Sequence, residues 1–348
     1  MNPDPRALGP VMQVVAGARH GGAETFTADL FVALHEAGLR QVIVTRPWPE
    51  RVARLRDAGL TVIEERLAFA LPPPLGRWRL ARIIAREKPA LVAAYMGRAA
   101  RIAPEGAIGW FGGYYDLKRY RACRHLVAIT PHMQGDMLAR GADPSTLSLI
   151  PTFAQLEDAP ALPRDIFGTP PGARIVLCLA RLHPKKGLDT LLAAVAALPE
   201  DVHLWLAGEG ELDAALRHQA AALGIAARVH LLGWRDDRGA LLRAADVLAV
   251  PSRYEPFGTV VIEGWAAGVP VVAAAATGPA ATIADGRDGL VVPVDDAPAL
   301  AAALGRVLAD GALARALAAE AAVQLEARYS RRAVVAAWID LVARLQPG

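Results

Sequence analysis

The chain has 348 residues, 53% hydrophobic and 21% charged, with a formal net charge of +3, which excludes a disordered chain and leaves room for about two domains with a core each. Mean hydropathy is positive at +0.26, yet the apolar runs stop short of the roughly 20 residues of a spanning helix, so no transmembrane protein is expected. Two cysteines, Cys123 and Cys178, make neither a disulfide framework nor a metal cluster, and the first ten residues lack the basic start and apolar core of a secretory leader, so the expectation is a cytoplasmic protein.

Short β-branched runs alternate with amphipathic stretches from the start, the pattern of an α/β chain with parallel sheets. Val11–Ala16 reads as a strand, Glu24–Ala37 as a helix closed by Gly38, and Gln41–Thr45 as the next strand. Leu60–Ile63, Leu91–Ala94, Ala107–Trp110, Leu126–Ile129 and Leu147–Ile150 are further strands, with a helix over Gly76–Glu87. Pro151–Pro171 carries five prolines and reads as a linker. The alternation then restarts with strands Arg174–Ala180, His203–Ala207, Val229–Leu232, Val247–Val250 and Val269–Ala273. Between them lie helices Leu188–Ala197, Glu211–Leu223, Arg238–Ala244 and Gly258–Ala267. Ser330–Leu345 is a final amphipathic helix. The reading is two doubly wound units, residues 1–165 and 166–329.

Charge divides unequally between them. Residues 1–165 carry 21 Lys and Arg against 16 Asp and Glu, and residues 166–348 carry 17 against 19. A basic first half fits an anionic partner or a scatter of solvated arginines.

In open parallel sheets the turns leaving the strands carry ligands. Gly17-Ala18-Arg19-His20-Gly21-Gly22-Ala23-Glu24 joins the first strand and helix, where adjacent glycines serve a tight turn or a close ligand. Gly208-Glu209-Gly210 has two glycines of a dinucleotide fingerprint, with Asp213 where the third would stand. Ala180-Arg181-Leu182-His183-Pro184-Lys185-Lys186-Gly187 holds two of the four lysines, so Arg181 and Lys186 can clamp a diphosphate. In Arg253-Tyr254-Glu255-Pro256-Phe257-Gly258-Thr259-Val260-Val261-Ile262-Glu263, Gly258 and Thr259 open a helix whose free amides suit phosphate oxygens. Thr259 and Glu263 share one face of it. Walker, HExxH, GxSxG and CxxC patterns are missing from the sequence, and Asp236-Asp237 and Asp295-Asp296 read as solvated turns.

Taken in order, these turns followed by Gly268-Val269-Pro270-Val271-Val272 resemble a retaining glycosyltransferase of the GT4 family, over nearly the whole chain. The resemblance implies a GT-B fold, two Rossmann-like domains facing across a cleft, with helix 330–348 crossing back to the first. It implies a nucleotide-diphosphate sugar donor, with no metal and no other cofactor. Arg181 and Lys186 would bind the diphosphate, Glu255 the transferred sugar and Glu263 the ribose. Gly21, Gly22, Gly208, Gly210, Trp234, Arg235, Phe257, Gly258 and Thr259 would complete the donor side. Two places depart from the family: Leu91-Val92-Ala93-Ala94-Tyr95-Met96-Gly97-Arg98 stands where members often carry a His at the end of the fourth strand, and Thr152 replaces an asparagine after Ile-Pro.

The acceptor side falls to Tyr95, Arg98, Tyr114, Lys118 and His132. The segment Gly109-Trp110-Phe111-Gly112-Gly113-Tyr114-Tyr115-Asp116-Leu117-Lys118 suits a sugar ring or anionic head group, or is a packed aromatic loop. Together with Arg77, Arg79, Arg82 and Arg86 it fits a phosphorylated or lipid-linked glycan acceptor. The implied protein assembles envelope glycans such as lipopolysaccharide, touches the inner membrane peripherally and binds no nucleic acid. A nucleotide-sugar 2-epimerase and a non-catalytic carbohydrate- or nucleotide-binding protein are the alternatives on the same fold.

Overall fold

Where strand and helix alternate, each strand must be re-entered from the same end, and every strand pair here is parallel. A computed structural model describes residues 3–19, 21–66 and 73–346. His20 of the first glycine turn, and residues 347–348 of the final helix, lie outside them.

The chain forms two compact units, Met1–Phe153 with Ser330–Gly348, and Ala154–Tyr329. Residues 154–165, grouped with the first half by sequence, belong to the second unit. Glu157 accepts from the Ala240 amide at 3.0 Å, Leu162 donates its amide to Ala240 at 3.2 Å, and Arg164 pairs with Asp246. A proline-rich stretch thus acts as a strap on that unit rather than a free linker.

The first unit runs β1 (Val11–Val15), α1 (Gly22–Glu36), β2 (Gln41–Thr45), α2 (Pro49–Asp57), β3 (Thr61–Glu64), α3 (Pro73–Glu87), β4 (Leu91–Tyr95), α4 (Met96–Ala100), β5 (Ala107–Trp110), β6 (Cys123–Ala128), α5 (Pro131–Ala139) and β7 (Leu147–Leu149). Among the described residues its sheet has seven strands in the order β3-β2-β1-β4-β5-β6-β7. β1 and β4, at the centre, are buried at every position. That follows from a parallel sheet covered on both faces, which needs continuous apolar runs rather than alternation. Gly38, at φ +99°, ends α1 by donating its amide to the His35 carbonyl at 2.8 Å.

The second unit runs β8 (Arg174–Leu179), α6 (Leu188–Ala196), β9 (Val202–Ala207), α7 (Asp213–Ala222), β10 (Val229–Gly233), α8 (Arg238–Ala244), β11 (Val247–Val250), α9 (Thr259–Ala266), β12 (Val271–Ala274), α10 (Thr277–Thr282), β13 (Leu290–Val292), α11 (Ala297–Ala309) and α12 (Gly311–Gln324). Among the described residues six strands lie in the order β10-β9-β8-β11-β12-β13. Leu191, Val195, Leu204, Val247 and Leu304 are fully buried in one core between this sheet and its helices. α13 (Arg331–Leu345), capped by the Ser330 hydroxyl, belongs to the first unit and packs on α1. Among the described residues no single helix is long and apolar enough to cross a membrane.

Candidate functional site

Ligands of doubly wound sheets sit beyond the carboxyl ends of the strands, where the strand order reverses. In the second unit that point lies between β8 and β11. The turns leaving these strands, 180–187 and 251–258, form one rim. Gly187 adopts a left-handed conformation, φ +61°, and its α-carbon lies so close to the Pro251 carbonyl that a Cβ would stand 2.1 Å from the oxygen. The Arg253 and Tyr254 amides donate to the Lys185 carbonyl at 2.9 and 3.2 Å. The Arg253 guanidinium donates to the Pro184 carbonyl at 2.8 Å and pairs with Asp189 at 2.7 Å and Asp295 at 2.6 Å. Arg253 therefore staples the two turns to the start of α6.

On this rim the Lys186 ammonium pairs with the Glu255 carboxylate, both side chains largely buried at 19% and 17% exposure. Arg181 stands exposed close to them in sequence, and among the described residues its guanidinium makes neither an ion pair nor a hydrogen bond. Behind the rim Glu263, 7% exposed, pairs with Arg238 at the first turn of α8. Gly258, at φ +83°, precedes α9, and the half-buried Thr259 begins it. The Gly278 amide donates to the Glu255 carbonyl at 2.7 Å. The rim thus presents two cations, one carboxylate and a helix start on one sheet edge, a set that can hold an anion and orient hydroxyl groups.

Other expected donor residues also have packing or pairing roles. The Phe257 ring is buried against Tyr329, edge-on at 6.2 Å, so only its backbone is left for a ligand. Gly208 and Gly210 lack side chains for a packing reason: a Cβ would stand 1.9 Å from the Ala180 oxygen and 2.4 Å from the Leu182 oxygen. They let the turn after β9 lie on the turn after β8. Trp234 is 62% exposed, with its indole donating to Asp236 at 2.9 Å, and Arg235 forks onto Asp237 at 2.8 and 2.5 Å. Asp295 holds Arg253, and Asp296 caps α11 through the Ala299 amide at 2.8 Å. The two aspartate pairs thus lie in exposed or half-exposed turns, as expected, and their carboxylates tie those turns to neighbouring groups. Cys178 is buried, and burial pushes its thiol up to about 12, which leaves it inert as a nucleophile.

In the first unit the order reverses between β1 and β4. Gly21 and Gly22 lead into α1, and Glu24 folds back to accept the Ala18 amide at 2.8 Å. A Cβ on Gly21 would stand 2.3 Å from the Glu24 carboxylate, while Gly22 has open space before it. Arg98 is exposed on α4. The Tyr114 hydroxyl meets His132 Nδ1 at 2.8 Å, beside the start of α5, and Lys118 is exposed. Tyr95 does not join this surface. It is fully buried among Phe31, Trp110 and Trp338, with ring centroids 5.0, 5.5 and 5.9 Å away, because the last position of β4 points into the core. Its hydroxyl finds no partner.

Two arginines have no role in the sequence reading. Arg253 lay inside a quoted motif with no task given to it. Arg238 opens a helix, where a cation opposes the macrodipole, and that misfit was the available signal of a buried carboxylate beside it.

Known proteins resemble this chain. The sequence model of the group 1 glycosyl transferases matches residues 163–324. The chain is 34% identical to the lipopolysaccharide core biosynthesis glycosyltransferase LpsE of Rhizobium meliloti (strain 1021), over 93% of this chain and 96% of that protein. The chain belongs to the group 1 glycosyltransferases. It is 33% identical to a second such enzyme of that organism, LpsD, over 96% of this chain and 98% of that protein. The crystal structure of Anabaena HepE in complex with UDP and glucose superposes with a TM-score of 0.81 at 20% identity, covering 97% of this chain and all of that one. The fold is accordingly GT-B and the protein is a glycosyltransferase.

Proposed function

We propose that this glycosyltransferase moves a sugar from a nucleoside-diphosphate sugar to a hydroxyl of a lipid-linked or phosphorylated glycan, with retention, during assembly of a lipopolysaccharide core. The observation that carries the reading is the Lys186–Glu255 pair beside exposed Arg181, at the point where the strand order of the second unit reverses. As the bond from the anomeric carbon to the diphosphate breaks, negative charge gathers on phosphate oxygens. Lys186 and Arg181 stabilise it, with the amides at the start of α9. The acceptor oxygen bonds to the anomeric carbon on the face the phosphate leaves, and its proton passes to a departing phosphate oxygen. Glu255 fixes the Lys186 ammonium and accepts from a hydroxyl of the transferred sugar. Glu263, held by Arg238, accepts from the ribose, and the base lies by Trp234 and Arg235.

On this reading the protein's own cations neutralise the diphosphate, so transfer proceeds without a divalent metal or other cofactor. The names of LpsE and LpsD support the lipopolysaccharide core, and the UDP held by HepE makes uridine diphosphate sugars the first donors to try. Exposed Trp78 and Leu75 stand on α3 with Arg77, Arg79, Arg82 and Arg86, which supports peripheral contact with the cytoplasmic face of a membrane. Nucleotide release from UDP-, GDP- and ADP-sugars, with and without a core oligosaccharide and with EDTA throughout, tests the reading. One donor should give acceptor-dependent release that falls about a hundredfold or more in Lys186→Ala. Release that needs added metal, or survives Lys186→Ala and Arg181→Ala unchanged, would overturn it.

A further inference from the structure

An aspartate at the start of a helix ordinarily caps it by accepting from an amide of the first turn. Asp237 stands at that place on α8 but makes no such bond, because its two oxygens accept from the Arg235 guanidinium at 2.8 and 2.5 Å. The amide of Ala240, a buried residue three positions on, still needs an acceptor. Glu157 of the proline-rich strap supplies it from 83 positions away, at 3.0 Å. Gly239 makes room for that approach. A Cβ there would stand 2.9 Å from Glu157 Oε1 and 3.0 Å from the Glu157 carbonyl oxygen, so a side chain would push the strap away. The Arg243 guanidinium, one turn on, fixes the same stretch by donating to the Glu157 carbonyl at 3.2 Å and the Ala159 carbonyl at 2.7 Å.

The turn held in this way carries the nucleoside end of the donor reading. Trp234 and Arg235 lie just ahead of it, and Arg238, the first residue of α8, holds the buried Glu263 carboxylate. A cation at that position opposes the macrodipole, and the Glu157 carboxylate against the same first turn offsets it. With only seven residues, α8 has too few internal hydrogen bonds to keep its first turn without outside contacts. Loss of the Glu157 cap therefore frees the turn, and Arg238 moves with it.

We propose that Glu157 is a positioning residue for nucleoside selection: by capping α8 it sets Arg238, and through Arg238 the Glu263 carboxylate that distinguishes a ribose from a sugar lacking its hydroxyls. This rests on the donor reading of the second unit and adds a specificity determinant that lies in the strap, outside every turn leaving a strand. Glu157 touches no ligand, so its effect is confined to what Glu263 can recognise.

Calorimetric titration of the full chain with UDP, GDP and ADP, each beside its 2′,3′-dideoxy form, tests it. One ribonucleotide should bind about tenfold or more tightly than its dideoxy form, the value of a hydroxyl donated to a carboxylate. Glu157→Ala should weaken that ribonucleotide about fivefold, the scale of a lost cap, and leave the dideoxy form unchanged. Glu157→Gln, whose amide oxygen still accepts from Ala240, should keep the full preference, and Arg238→Met should lose it. Thermal unfolding shows that each variant is folded, and the ratio of two affinities is unmoved by a change in the folded fraction. Equal weakening of both forms in Glu157→Ala, the result of a merely structural role, would overturn the proposal. So would a preference that Glu157→Ala retains, one that Glu157→Gln loses, or equal binding of both forms by the unaltered chain. Donor-sugar cleavage and its dependence on Lys186 are measured separately. A chain that cleaves a donor but ignores Glu157 leaves the transferase reading standing, whereas one that binds none of the three nucleotides overturns both.

Discussion

Replacing Gly187 by alanine perturbs the donor rim at its tightest point. Two costs add. The left-handed conformation, φ +61°, costs an ordinary residue about 1–2 kcal/mol. The new Cβ would stand 2.1 Å from the Pro251 oxygen, so the turns must part by about 0.9 Å to reach even a tight 3.0 Å contact. Backbone must move, since no flexible side chain fills the gap, and a further 1–3 kcal/mol is expected from overpacking of this kind. Gly224→Ala is the control: its φ is +72° and a Cβ there would meet open space, so it carries the first cost alone. Urea unfolding followed by tryptophan fluorescence should thus rank Gly187→Ala below Gly224→Ala by about 1–3 kcal/mol. Displacing the neighbouring Lys186 by such a distance should also lower kcat/KM for transfer about a hundredfold, with Gly224→Ala unaffected. Equal stabilities, or a Gly187→Ala enzyme with full transfer activity, would refute the close-approach argument.

Further outcomes follow from other residues. Tyr95→Phe removes a buried hydroxyl without a partner, so transfer should be unchanged and stability equal or up to about 1 kcal/mol higher by urea titration; a loss of acceptor affinity would return Tyr95 to the site. Glu263→Gln strips the charge that holds Arg238 and should cost about 2 kcal/mol, discounted from a fully buried pair because Arg238 is 37% exposed. It should also raise KM for the donor, and an unchanged KM would remove Glu263 from the ribose assignment. His203 and His230 meet across β9 and β10 at 3.0 Å, both held below their usual value first by burial, then by Arg228 for His203 and by His203 for His230. Because folding disfavours their protonation, stability should be full above the unfolded value near 6.5 and fall as pH drops below it. A urea midpoint that stays flat from pH 7.5 to about 5.5 would contradict this. Cys178, with its thiol pushed up to about 12, should resist iodoacetamide at pH 8 in the folded chain, as mass spectrometry would show.

The alternation of apolar runs and helical stretches was readable because the central strands of both sheets are buried on two faces and read as continuous apolar runs, whereas the three-residue edge strand β13 was missed. The β8, β9 and β11 turns could be found for the same reason, and with them Arg181, Lys186, Glu255 and Glu263. What stayed hidden depended on pairing between distant residues. Arg253 and Asp295 are 42 positions apart, and no local pattern marks them as one unit. Tyr95 illustrates a different failure: a polar aromatic at a strand end suggests a site, but the direction of its side chain is set by register and by Trp338 more than 200 residues later. Helices α2 and α5 passed unread although Pro49 and Pro131 stand at their first turns and the Thr130 hydroxyl caps the second.

The return of α13 to the first unit bears on how the chain is made. Synthesis is vectorial, and domains generally fold as units as they emerge. The second unit is one continuous segment, so it has every residue it needs before Ser330 is added. The first unit does not: Trp338, fully buried against Tyr95, and Leu341, equally buried, arrive last. Until then, the aromatic group of Phe31, Tyr95 and Trp110 lacks one wall. The half that is translated first is therefore the half completed last, and a nascent chain stalled before α13 exposes that apolar gap to chaperones and proteases while its other unit is already whole.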